Sequence, residues 1–194
     1  MAVMTLNGGS ASVQGKGAAV QGTVITISDA GTYRITGTLD DGQIVIDAGK
    51  DDAVTLVLDN ANISCSNSAG IYAKQAGTTT LLLQDGTQNS VSDAAQYAYP
   101  DGGDEPDAAI FAKDDLTIAG SGTLTVTGSF NNAIGSKDNL LIESGTLIVT
   151  AANDGLRGRD SVTITDGNFT IDAQGDGIKS NNDEDAEKGW ITLS

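Results

Sequence analysis

Histidine is absent from this sequence of 194 residues, cysteine occurs once, proline occurs twice, and aromatic residues make up only 4%. Without histidine no Ser-His-Asp triad can form, and zinc and copper sites lose their commonest ligand. Cys65 has no partner for an internal disulfide, so the cysteine count leaves the redox compartment open. No P-loop and no GxGxxG motif links a strand to a helix. The sequence therefore shows no catalytic constellation.

Basic residues are also scarce, because 10 Lys and Arg face 26 Asp and Glu and the formal net charge is −16. Proteins bind nucleic acids and anionic membranes through Lys and Arg, so we expect no nucleic-acid partner. We also expect no membrane insertion, since no apolar run reaches the length needed to cross a bilayer. Neutral molecules, cations, or anions that arrive with a cation fit this charge. The many Asp and Asn residues favour a hard, oxygen-liganded ion such as calcium.

A short pattern recurs three times between residues 116 and 178. Each copy has an apolar triplet, a Gly-containing turn, a segment rich in Thr and apolar residues, and an apolar anchor preceded by Asn or Asp. The anchors Ile134, Leu156 and Ile178 are spaced 22 residues apart. Repetition at a period of about 20 to 50 residues is the signature of a solenoid or array.

The segments within each copy predict strands rather than helices. They alternate apolar residues with Thr or Ser and stop at Gly, Asp or Asn, and no window shows the stripe typical of a helix. At about 3.3 Å per residue, one copy makes a coil of short strands that pair with their counterparts one coil away. We therefore predict an all-β fold, a parallel β-helix with about 22 residues per coil, as a single domain over residues 1–194.

The pattern is less regular nearer the N-terminus. Residues 3–22 read as a polar opening strand and loop, and the first coil begins within residues 33–47. The anchor Ile71 lies 39 residues before the anchor Ile110, so this coil is longer than the others. We predict a loop insertion at about 86–107 that contains Tyr97, Tyr99, Pro100, Asp101, Asp104, Glu105 and Asp107. Insertions in solenoids often gather on the binding face, but a solvated surface loop with a weak acidic cluster fits the same residues.

The last residues, 190–194, resemble the opening strand of a further coil with nothing after it. An uncovered end of a β-helix exposes unpaired backbone groups and invites edge pairing. We therefore expect that the domain is truncated at its C-terminal end, or that another chain covers this end by end-to-end association.

Alignment on the anchors stacks Asn132, Asp154 and Asp176 in one column. Neighbouring coils lie about 4.8 Å apart, so an ion midway between two carboxylates would lie about 2.4 Å from each, within the calcium range. We predict a calcium site there, although Asp-Gly is also ordinary turn chemistry. A second calcium candidate is the segment with Asn182, Asp183 and Asp185, which a charged surface loop would explain equally well.

A basic column follows the anchors and has an acidic column next to it. The basic column is Lys74, Lys113, Lys137 and Arg159, and the acidic column is Asp114, Asp138 and Asp160. We predict that the two columns form solvated ion pairs, because like charges stacked at about 4.8 Å repel. The alternative is that the basic column binds the carboxylates of an acidic sugar chain. Arg157 and Lys179 follow Asp154 and Asp176 by three residues, and strand alternation predicts opposite faces for each pair.

Several long phrases, in order along nearly the whole chain, carry a family resemblance. They are residues 31–39, 104–110, 113–118, 131–134, 153–156, 175–180 and 182–185. With these phrases the sequence resembles the bacterial calcium-associated β-helix carbohydrate-binding domains first described from a cellulolytic clostridium. The resemblance implies a right-handed, pectate-lyase-like β-helix that binds plant cell-wall polysaccharide such as cellulose and acidic pectic chains. It also implies bound calcium, with Asn132, Asp154, Asp176, Asn182, Asp183 and Asp185 as the matching positions.

The resemblance further implies an extracellular or cell-surface location, with the signal peptide absent from this sequence. We hypothesise calcium-dependent, non-catalytic binding of polysaccharide such as polygalacturonate, assisted by Lys137, Arg157, Arg159 and Lys179. Two alternatives stay open. One is a calcium-dependent polyuronate lyase, in which calcium acidifies the C5 proton for a nearby Arg or Lys, and the other is a structural repeat of a surface adhesin. Six aromatic residues could stack on a sugar, and we expect most of the six to be core or corner residues instead; they are Trp190, Tyr72, Tyr97, Tyr99, Phe111 and Phe130.

Overall fold

The computed structural model describes residues 1–99 and 102–194, so that Pro100 and Asp101 of the predicted loop lie outside it. Within these ranges the chain forms 21 β-strands and no helix. The strands are β1 (Ala2–Gly8), β2 (Ala11–Gln14), β3 (Ala18–Gln21), β4 (Val24–Ile27), β5 (Gly31–Leu39), β6 (Gln43–Asp47), β7 (Ala53–Ser64), β8 (Ile71–Gln75), β9 (Thr78–Leu83), β10 (Gln88–Ser92), β11 (Ala108–Ala112), β12 (Asp115–Gly120), β13 (Thr123–Gly128), β14 (Asn132–Ser136), β15 (Asn139–Ile142), β16 (Thr146–Ala151), β17 (Leu156–Gly158), β18 (Ser161–Ile164), β19 (Asn168–Ala173), β20 (Ile178–Ser180) and β21 (Trp190–Leu193). The described part of the chain accordingly has no helix that could cross a membrane.

The spacing of 22 residues is the spacing at which the strands pair. Ile134 in β14 pairs with Leu156 in β17, and Leu156 pairs with Ile178 in β20, in both cases in parallel. The longer coil follows the same rule, because Ile71 in β8 pairs with Ile110 in β11. Strands β14, β15 and β16 of one repeat pair with β17, β18 and β19 of the next. The predicted all-β fold with parallel pairing between repeats is confirmed.

In the described ranges the strands form two sheets. The larger sheet has 13 strands, with the order β19-β16-β13-β10-β7-β9-β12-β15-β18-β21 along its main path, and it is curled into a half-barrel. Strand β7 joins its two halves, because the first part of β7 pairs with β9 and the last part with β10. The smaller sheet has eight strands in the order β20-β17-β14-β11-β8-β6-β4-β3. This smaller sheet carries the candidate site.

Side-chain alternation along the strands separates the core from the surface. Leu124 and Val126 of β13 are buried and pair with Leu147 and Val149 of β16, while Thr125 between them is partly exposed. Buried Ile, Leu and Val residues continue through the repeats as one core. Truncating one such leucine to alanine typically costs about 2–5 kcal/mol. The predicted core of stacked aliphatic side chains is therefore observed.

The two ends of the stack differ. At the N-terminal end β1 pairs antiparallel with β2, and β3 pairs antiparallel with β4, so the region predicted as one polar strand and a loop forms three strands. Antiparallel cover of this kind occupies backbone groups that would otherwise form a free edge. At the other end β21 is an edge strand of the larger sheet, and Trp190, Ile191 and Leu193 are exposed.

The predicted loop insertion at 86–107 is shorter than expected. Residues 88–92 form β10, which pairs with β7 and β13, so the irregular segment begins at Asp93. The sequence hides this strand because Val91 is its only apolar residue, which leaves no apolar alternation to detect. We call residues 93–107 the 93–107 loop; of its described residues, Glu105 and Asp107 contact basic side chains on the outer face of the smaller sheet.

Candidate functional site

A cavity of about 470 Å³ lies between the smaller sheet and the 93–107 loop. We call it the tyrosine groove, because Tyr72 of the sheet and Tyr99 of the loop both line it. Strand alternation places Tyr72 here: Ile71 and Ala73 on either side of it are buried in the core, so the tyrosine points outward. Val45, between two buried residues of β6, lines the same wall for the same reason. The volume falls within the range of small-molecule sites, about 300–1,000 Å³.

Aromatic packing and hydrogen bonds hold the loop side of the groove. The rings of Tyr97 and Phe130 stack with centroids 4.3 Å apart, and Tyr99 approaches Phe130 edge-on at 6.4 Å. The Tyr99 hydroxyl donates a hydrogen bond of 2.7 Å to the carbonyl oxygen of Pro106. Tyr97 in turn donates to Asp93 Oδ2 at 2.6 Å. Burial, followed by the neighbouring Asp93 carboxylate, raises the pKa of Tyr97, so this phenol stays protonated and acts as a donor.

Polar side chains surround the aromatic walls of the groove. Gln43 Nε2 donates to the carbonyl oxygen of Ala69 at 2.7 Å and to Ser68 Oγ at 3.2 Å. Lys74 forms an ion pair of 2.9 Å with Asp47, and Glu105 lines the loop side. Amide, hydroxyl and charged groups next to exposed ring faces can bind a ligand that has both hydroxyl groups and apolar C–H faces.

Of the six aromatic residues considered as sugar platforms, Tyr72 and Tyr99 are the two that line this groove. Phe111 packs against Tyr72, with the two ring centroids 6.0 Å apart, and it is buried. The expectation that most of the six are packing residues therefore fits Phe111, while Trp190 is exposed at the far end of the stack. The outward position of Tyr72 was readable from the alternation of β8, but the position of Tyr99 depends on how the loop folds.

The basic side chains concentrate on the smaller sheet. Six of the 10 Lys and Arg residues lie on its strands or directly after them: Lys74, Lys113, Lys137, Arg157, Arg159 and Lys179. Among the described residues, Lys113 and Lys137 pair with Glu105 and not with the acidic column that we predicted as their partner. Glu105 of the loop contacts both Lys113 and Lys137, and Asp107 contacts Arg157 at 3.0 Å. The prediction was wrong because these counter-charges come from the inserted loop, which lies outside the repeat.

Three further members of the two columns, Arg159, Asp114 and Asp160, also find partners elsewhere. Arg159 pairs with Glu184 at 2.7 Å. In the acidic column, Asp114 Oδ2 accepts the backbone N–H of Ala76 at 3.1 Å. Asp160 accepts hydrogen bonds from Asn182 at 2.6 Å and from Lys188 at 2.7 Å. Burial raises the pKa of Asp138, and the nearby carboxylates of the same column and of Asp115 raise it further.

The column of Asn132, Asp154 and Asp176 forms a hydrogen-bonded ladder. Asn132 Oδ1 accepts the backbone N–H of Asp154 at 3.2 Å, and Asp154 Oδ1 accepts that of Asp176 at 3.0 Å. The Lys179 ammonium lies between the two carboxylates, 3.1 Å from Asp154 Oδ2 and 3.2 Å from Asp176 Oδ2. These hydrogen bonds raise the pKa of Lys179, so it stays charged.

This geometry corrects the predicted face of Lys179. Strand alternation assigned Asp176 and Lys179 to opposite faces, but β20 begins only at Ile178, so alternation does not apply across the preceding Gly-containing corner. Arg157 forms an ion pair of 3.0 Å with Asp107. The Lys179 ammonium occupies the space between Asp154 and Asp176 that we assigned to a calcium ion. In this arrangement the two carboxylates do not fit a bound calcium ion.

The second predicted calcium segment is also engaged in local hydrogen bonds. Asn182 Oδ1 accepts the backbone N–H groups of Glu184 and Asp185, each at 3.1 Å, while its Nδ2 donates to Asp160. Asp185 Oδ1 accepts the N–H of Glu187 at 3.0 Å, and Asp183 is exposed. Across residues 1–99 and 102–194, no group of three or more His, Cys, Asp or Glu side chains is arranged to hold a metal ion. Asp101, which belongs to the weak acidic cluster of the predicted loop, lies outside these ranges.

The fold and the groove together define a class: an all-β domain of stacked repeats that carries a ligand-sized, aromatic-lined groove on one sheet. More particularly, residues 21–194 match the family described as "Carbohydrate-binding domain-containing protein", and the chain belongs to that family. A relative of the same description from Acetivibrio thermocellus is 44% identical over 136 residues, which are 70% of this chain and 48% of the relative. The chain thus spans about half the length of that relative.

A solved structure provides the comparison of folds. It is described as the structure of the polysaccharide lyase-like protein from C. thermocellum, gadolinium derivative. The two structures agree with a TM-score of 0.96 at 40% sequence identity, over 98% of this chain and 78% of the other. The chain therefore has a polysaccharide-lyase-like, all-β fold and contains a carbohydrate-binding domain.

Proposed function

We propose that this domain binds plant cell-wall polysaccharide without cleaving it, and that the tyrosine groove is its primary sugar site. The observation that carries the proposal is the groove itself, in which the outward-facing Tyr72 and Tyr99 meet hydrogen-bonding side chains. A pyranose ring has apolar C–H faces that pack on aromatic rings and equatorial hydroxyl groups that need polar partners. The groove supplies both, and membership of a carbohydrate-binding family supports the assignment.

We further propose that the repeats wind as a right-handed parallel β-helix. The support is that each repeat contributes one strand to the smaller sheet and two to the larger one, each in parallel register with the next repeat. A β-helix aligns its outward side chains in rows along the stack at a spacing of about 4.8 Å. Such rows suit an extended polymer, which could run from the groove across the smaller sheet. An extracellular or cell-surface location follows as part of the same proposal, since polysaccharide of the cell wall lies outside the cell.

Two sugar classes fit this face. Cellulose, a neutral glucan, suits the groove because Lys74 there is paired with Asp47. Acidic pectic chains such as polygalacturonate suit the basic side chains Lys137, Arg157, Arg159 and Lys179. Each of these cations already has a carboxylate partner, so an acidic chain must compete with the protein's own acidic groups.

Calcium dependence of the binding is likewise a proposal. Its support is the formal net charge of −16, which repels a polyuronate unless a cation is present, and the description of the solved relative as a gadolinium derivative. Gadolinium and calcium are both hard ions that prefer oxygen ligands. The proposal concerns affinity for acidic chains and does not assign an ion to Asp154 and Asp176. It predicts that excess EDTA removes binding to polygalacturonate but not to cellulose.

The groove assignment is tested by titrating cello-oligosaccharides into the wild type and the variants Tyr72→Ala and Tyr99→Ala in a calorimeter. Loss of one stacking ring should weaken binding about five- to tenfold. Trp190→Ala is the matched control, because it removes an exposed aromatic ring from a strand of the larger sheet. If both tyrosine variants bind as tightly as the wild type, the groove is not the sugar site.

A polyuronate lyase is the second candidate, because the solved relative is described as polysaccharide lyase-like. Cleavage needs a base near the C5 proton of the uronate. Arg157 is paired with Asp107, and arginine is a very weak base at neutral pH, which disfavours this role. Incubation with polygalacturonate and calcium separates the candidates: a lyase releases an unsaturated, ultraviolet-absorbing product, and a binding domain releases none. A purely structural adhesin repeat would bind neither sugar class.

A further inference from the structure

Tyr99 and Pro106 are joined by a hydrogen bond within the 93–107 loop. The Tyr99 hydroxyl donates to the carbonyl oxygen of Pro106 at 2.7 Å, seven positions further along the chain. Tyr99 is half-buried, Pro106 is buried, and both line the tyrosine groove. A phenol has one O–H group to donate. The position of the Pro106 carbonyl therefore sets where the hydroxyl end of the Tyr99 ring lies.

Glu105, which directly precedes Pro106, is tied to two repeats of the smaller sheet. Its Oε2 lies 3.1 Å from Lys113 Nζ, and its Oε1 accepts a hydrogen bond from Lys137 Nζ. Lys113 directly follows β11, Lys137 directly follows β14, and these two strands pair in parallel. Burial acts to raise the pKa of Glu105, but the hydrogen bonds from the two lysines outweigh burial, so the pKa lies below the ordinary value and the carboxylate stays ionised. The sheet thus holds Pro106 from its N-terminal side.

Asp107, which directly follows Pro106, is also tied to the sheet. Its Oδ2 lies 3.0 Å from Arg157 Nη2, and the two side chains are only 19% and 20% exposed. Asn132 of β14 adds hydrogen bonds, because its backbone N–H donates to the Asp107 carbonyl oxygen at 3.1 Å and its Nδ2 donates to the carboxylate at 3.3 Å. A partly buried ion pair is screened less than an exposed one. Pro106 is therefore held from both sides.

Aromatic packing alone holds Tyr99 less closely. Its ring centroid lies 6.1 Å from that of Tyr97 and 6.4 Å from that of Phe130, in the outer part of the range of about 4.5–7 Å for aromatic pairs. The rings of Tyr97 and Phe130, by contrast, stack at 4.3 Å. The hydrogen bond to Pro106 is therefore the closest of these contacts of Tyr99, and its acceptor lies between the two ion-paired residues.

We propose that Glu105 and Asp107 are positioning residues of the tyrosine groove. By fixing Pro106 between two ion-paired neighbours, they hold the Tyr99 hydroxyl, and through it the ring, in the wall of the groove before a sugar binds. A side chain that is already ordered in the free protein loses little further conformational entropy when the ligand binds. This inference rests on the proposed function of the groove as a sugar site. It deepens that function by naming the groups that prepare the loop wall.

Calorimetry with a cello-oligosaccharide tests this role, because an uncharged ligand does not respond directly to the charge that a variant removes. The variants are Glu105→Gln, Asp107→Asn and Tyr99→Phe, the last of which removes the hydroxyl and keeps the ring. We expect Asp107→Asn and Tyr99→Phe each to weaken binding about threefold, and Glu105→Gln about twofold, since its lysine partners are more exposed. Glu143→Gln and Asp172→Asn are the matched controls and should bind like the wild type, because they change exposed carboxylates that do not line the groove.

A double-mutant cycle shows whether the effect of each carboxylate passes through the tyrosine hydroxyl. In the Tyr99→Phe background the hydrogen bond to Pro106 is already absent, so Asp107→Asn and Glu105→Gln should weaken binding no further. If the two substitutions weaken binding by the same factor in both backgrounds, they do not act by positioning Tyr99 and the inference is refuted.

NMR of protein labelled on its tyrosine rings gives a readout that does not depend on the sugar. Asp107→Asn should shift the ring signals of Tyr99, which are assigned by their absence in Tyr99→Phe. The signals of Tyr33, which is buried in β5, should stay unchanged. Identical Tyr99 signals in the wild type and in Asp107→Asn would also overturn the positioning role.

The outcomes separate this inference from the assignment of the groove. If Tyr72→Ala weakens binding but the effects in the cycle are additive, the positioning role fails and the groove remains the sugar site. If Tyr72→Ala and Tyr99→Ala bind as tightly as the wild type, the groove assignment fails and this inference fails with it. A thermal melt of each variant confirms that it is folded.

Discussion

Replacement of Asp154 tests what stabilises the polar column that we first assigned to calcium. Asp154 is only 2% exposed and makes two kinds of contact: Oδ1 accepts the backbone N–H of Asp176, and Oδ2 pairs with Lys179. Asn132, one repeat away, already shows that an amide oxygen can make the first contact, because its Oδ1 accepts the N–H of Asp154. Asp154→Asn therefore removes the ion pair and keeps the backbone hydrogen bond, whereas Asp154→Ala removes both.

The structure sets the size of the two effects. The Lys179 side chain is 36% exposed, so solvent screens the ion pair and its loss should cost about 1 kcal/mol. Loss of the buried acceptor leaves the Asp176 N–H without its partner, which should lower the free energy of unfolding by about a further 1–3 kcal/mol. We therefore expect the free energy of unfolding to fall by about 1 kcal/mol in Asp154→Asn and by about 2–4 kcal/mol in Asp154→Ala.

Urea unfolding followed by circular dichroism measures both variants, each in excess calcium chloride and in excess EDTA. Asp172→Asn is the control, because it removes an exposed carboxylate of β19 from the same repeat. If Lys179 is the cation that these carboxylates hold, calcium should change the effect of Asp154→Asn by less than about 0.5 kcal/mol. An ion bound between Asp154 and Asp176 at a hundredfold excess over its Kd would instead stabilise the wild type alone by about 2.7 kcal/mol. That result would refute our reasoning, as would equal unfolding free energies for the asparagine and alanine variants.

Three further predictions follow from burial and charge. Burial acts to raise the pKa of Asp160, but hydrogen bonds from Lys188 and Asn182 lower it below the ordinary value. The carboxylate therefore stabilises the fold above about pH 4, and this contribution is lost as the pH falls through the lowered pKa. Unfolding measured at several pH values should show that Asp160→Asn is less stable than the wild type at pH 7 and approaches it in acid. Cys65 is buried, and burial raises the pKa of its thiol, so alkylation in native buffer should be at least roughly a hundredfold slower than in denaturant, as measured by mass spectrometry. Leu193→Lys places a charge on the exposed strand β21 and should abolish any concentration-dependent end-to-end association seen by sedimentation velocity.

A specific result would contradict each of these predictions. Asp166→Asn, at an exposed turn, should show no convergence with the wild type in acid; equal curves for the two variants would contradict the role of Asp160. Rapid alkylation of the native protein would mean that the region around Cys65 opens far more often than its burial indicates. Association that persists unchanged in Leu193→Lys would place the contact elsewhere on the molecule.

The repeat made the fold predictable. Ile134, Leu156 and Ile178 were aligned from the sequence by their spacing, and these residues are register partners in the structure. This success has a simple physical cause. In parallel stacks each strand pairs with its own counterpart, so the sequence period is also the pairing register. The short strand β10 escaped detection because it lacks apolar alternation.

The candidate site was predictable only in part. Stacking of Asn132, Asp154 and Asp176 followed from the alignment, and the hydrogen bonds of the column confirm that these residues are neighbours. Contacts that cross a corner or come from an insertion could not be derived in this way. Lys179 reaches back past a corner to Asp154, and Glu105 reaches the lysines from a loop without a counterpart in the other repeats. The partners of the basic residues therefore required the three-dimensional structure.

The 93–107 loop has a consequence for how the stack unfolds. Arrays whose units touch only their neighbours can fray one unit at a time from an end. Here Glu105 and Asp107 fasten the loop to residues that follow or belong to β11, β14 and β17, and Asp107 lies 50 residues before its partner Arg157. Such a cross-brace ties three successive layers together. One of these repeats cannot unfold without breaking the ion pairs that connect it to the others. The middle of the array should therefore unfold in one cooperative transition.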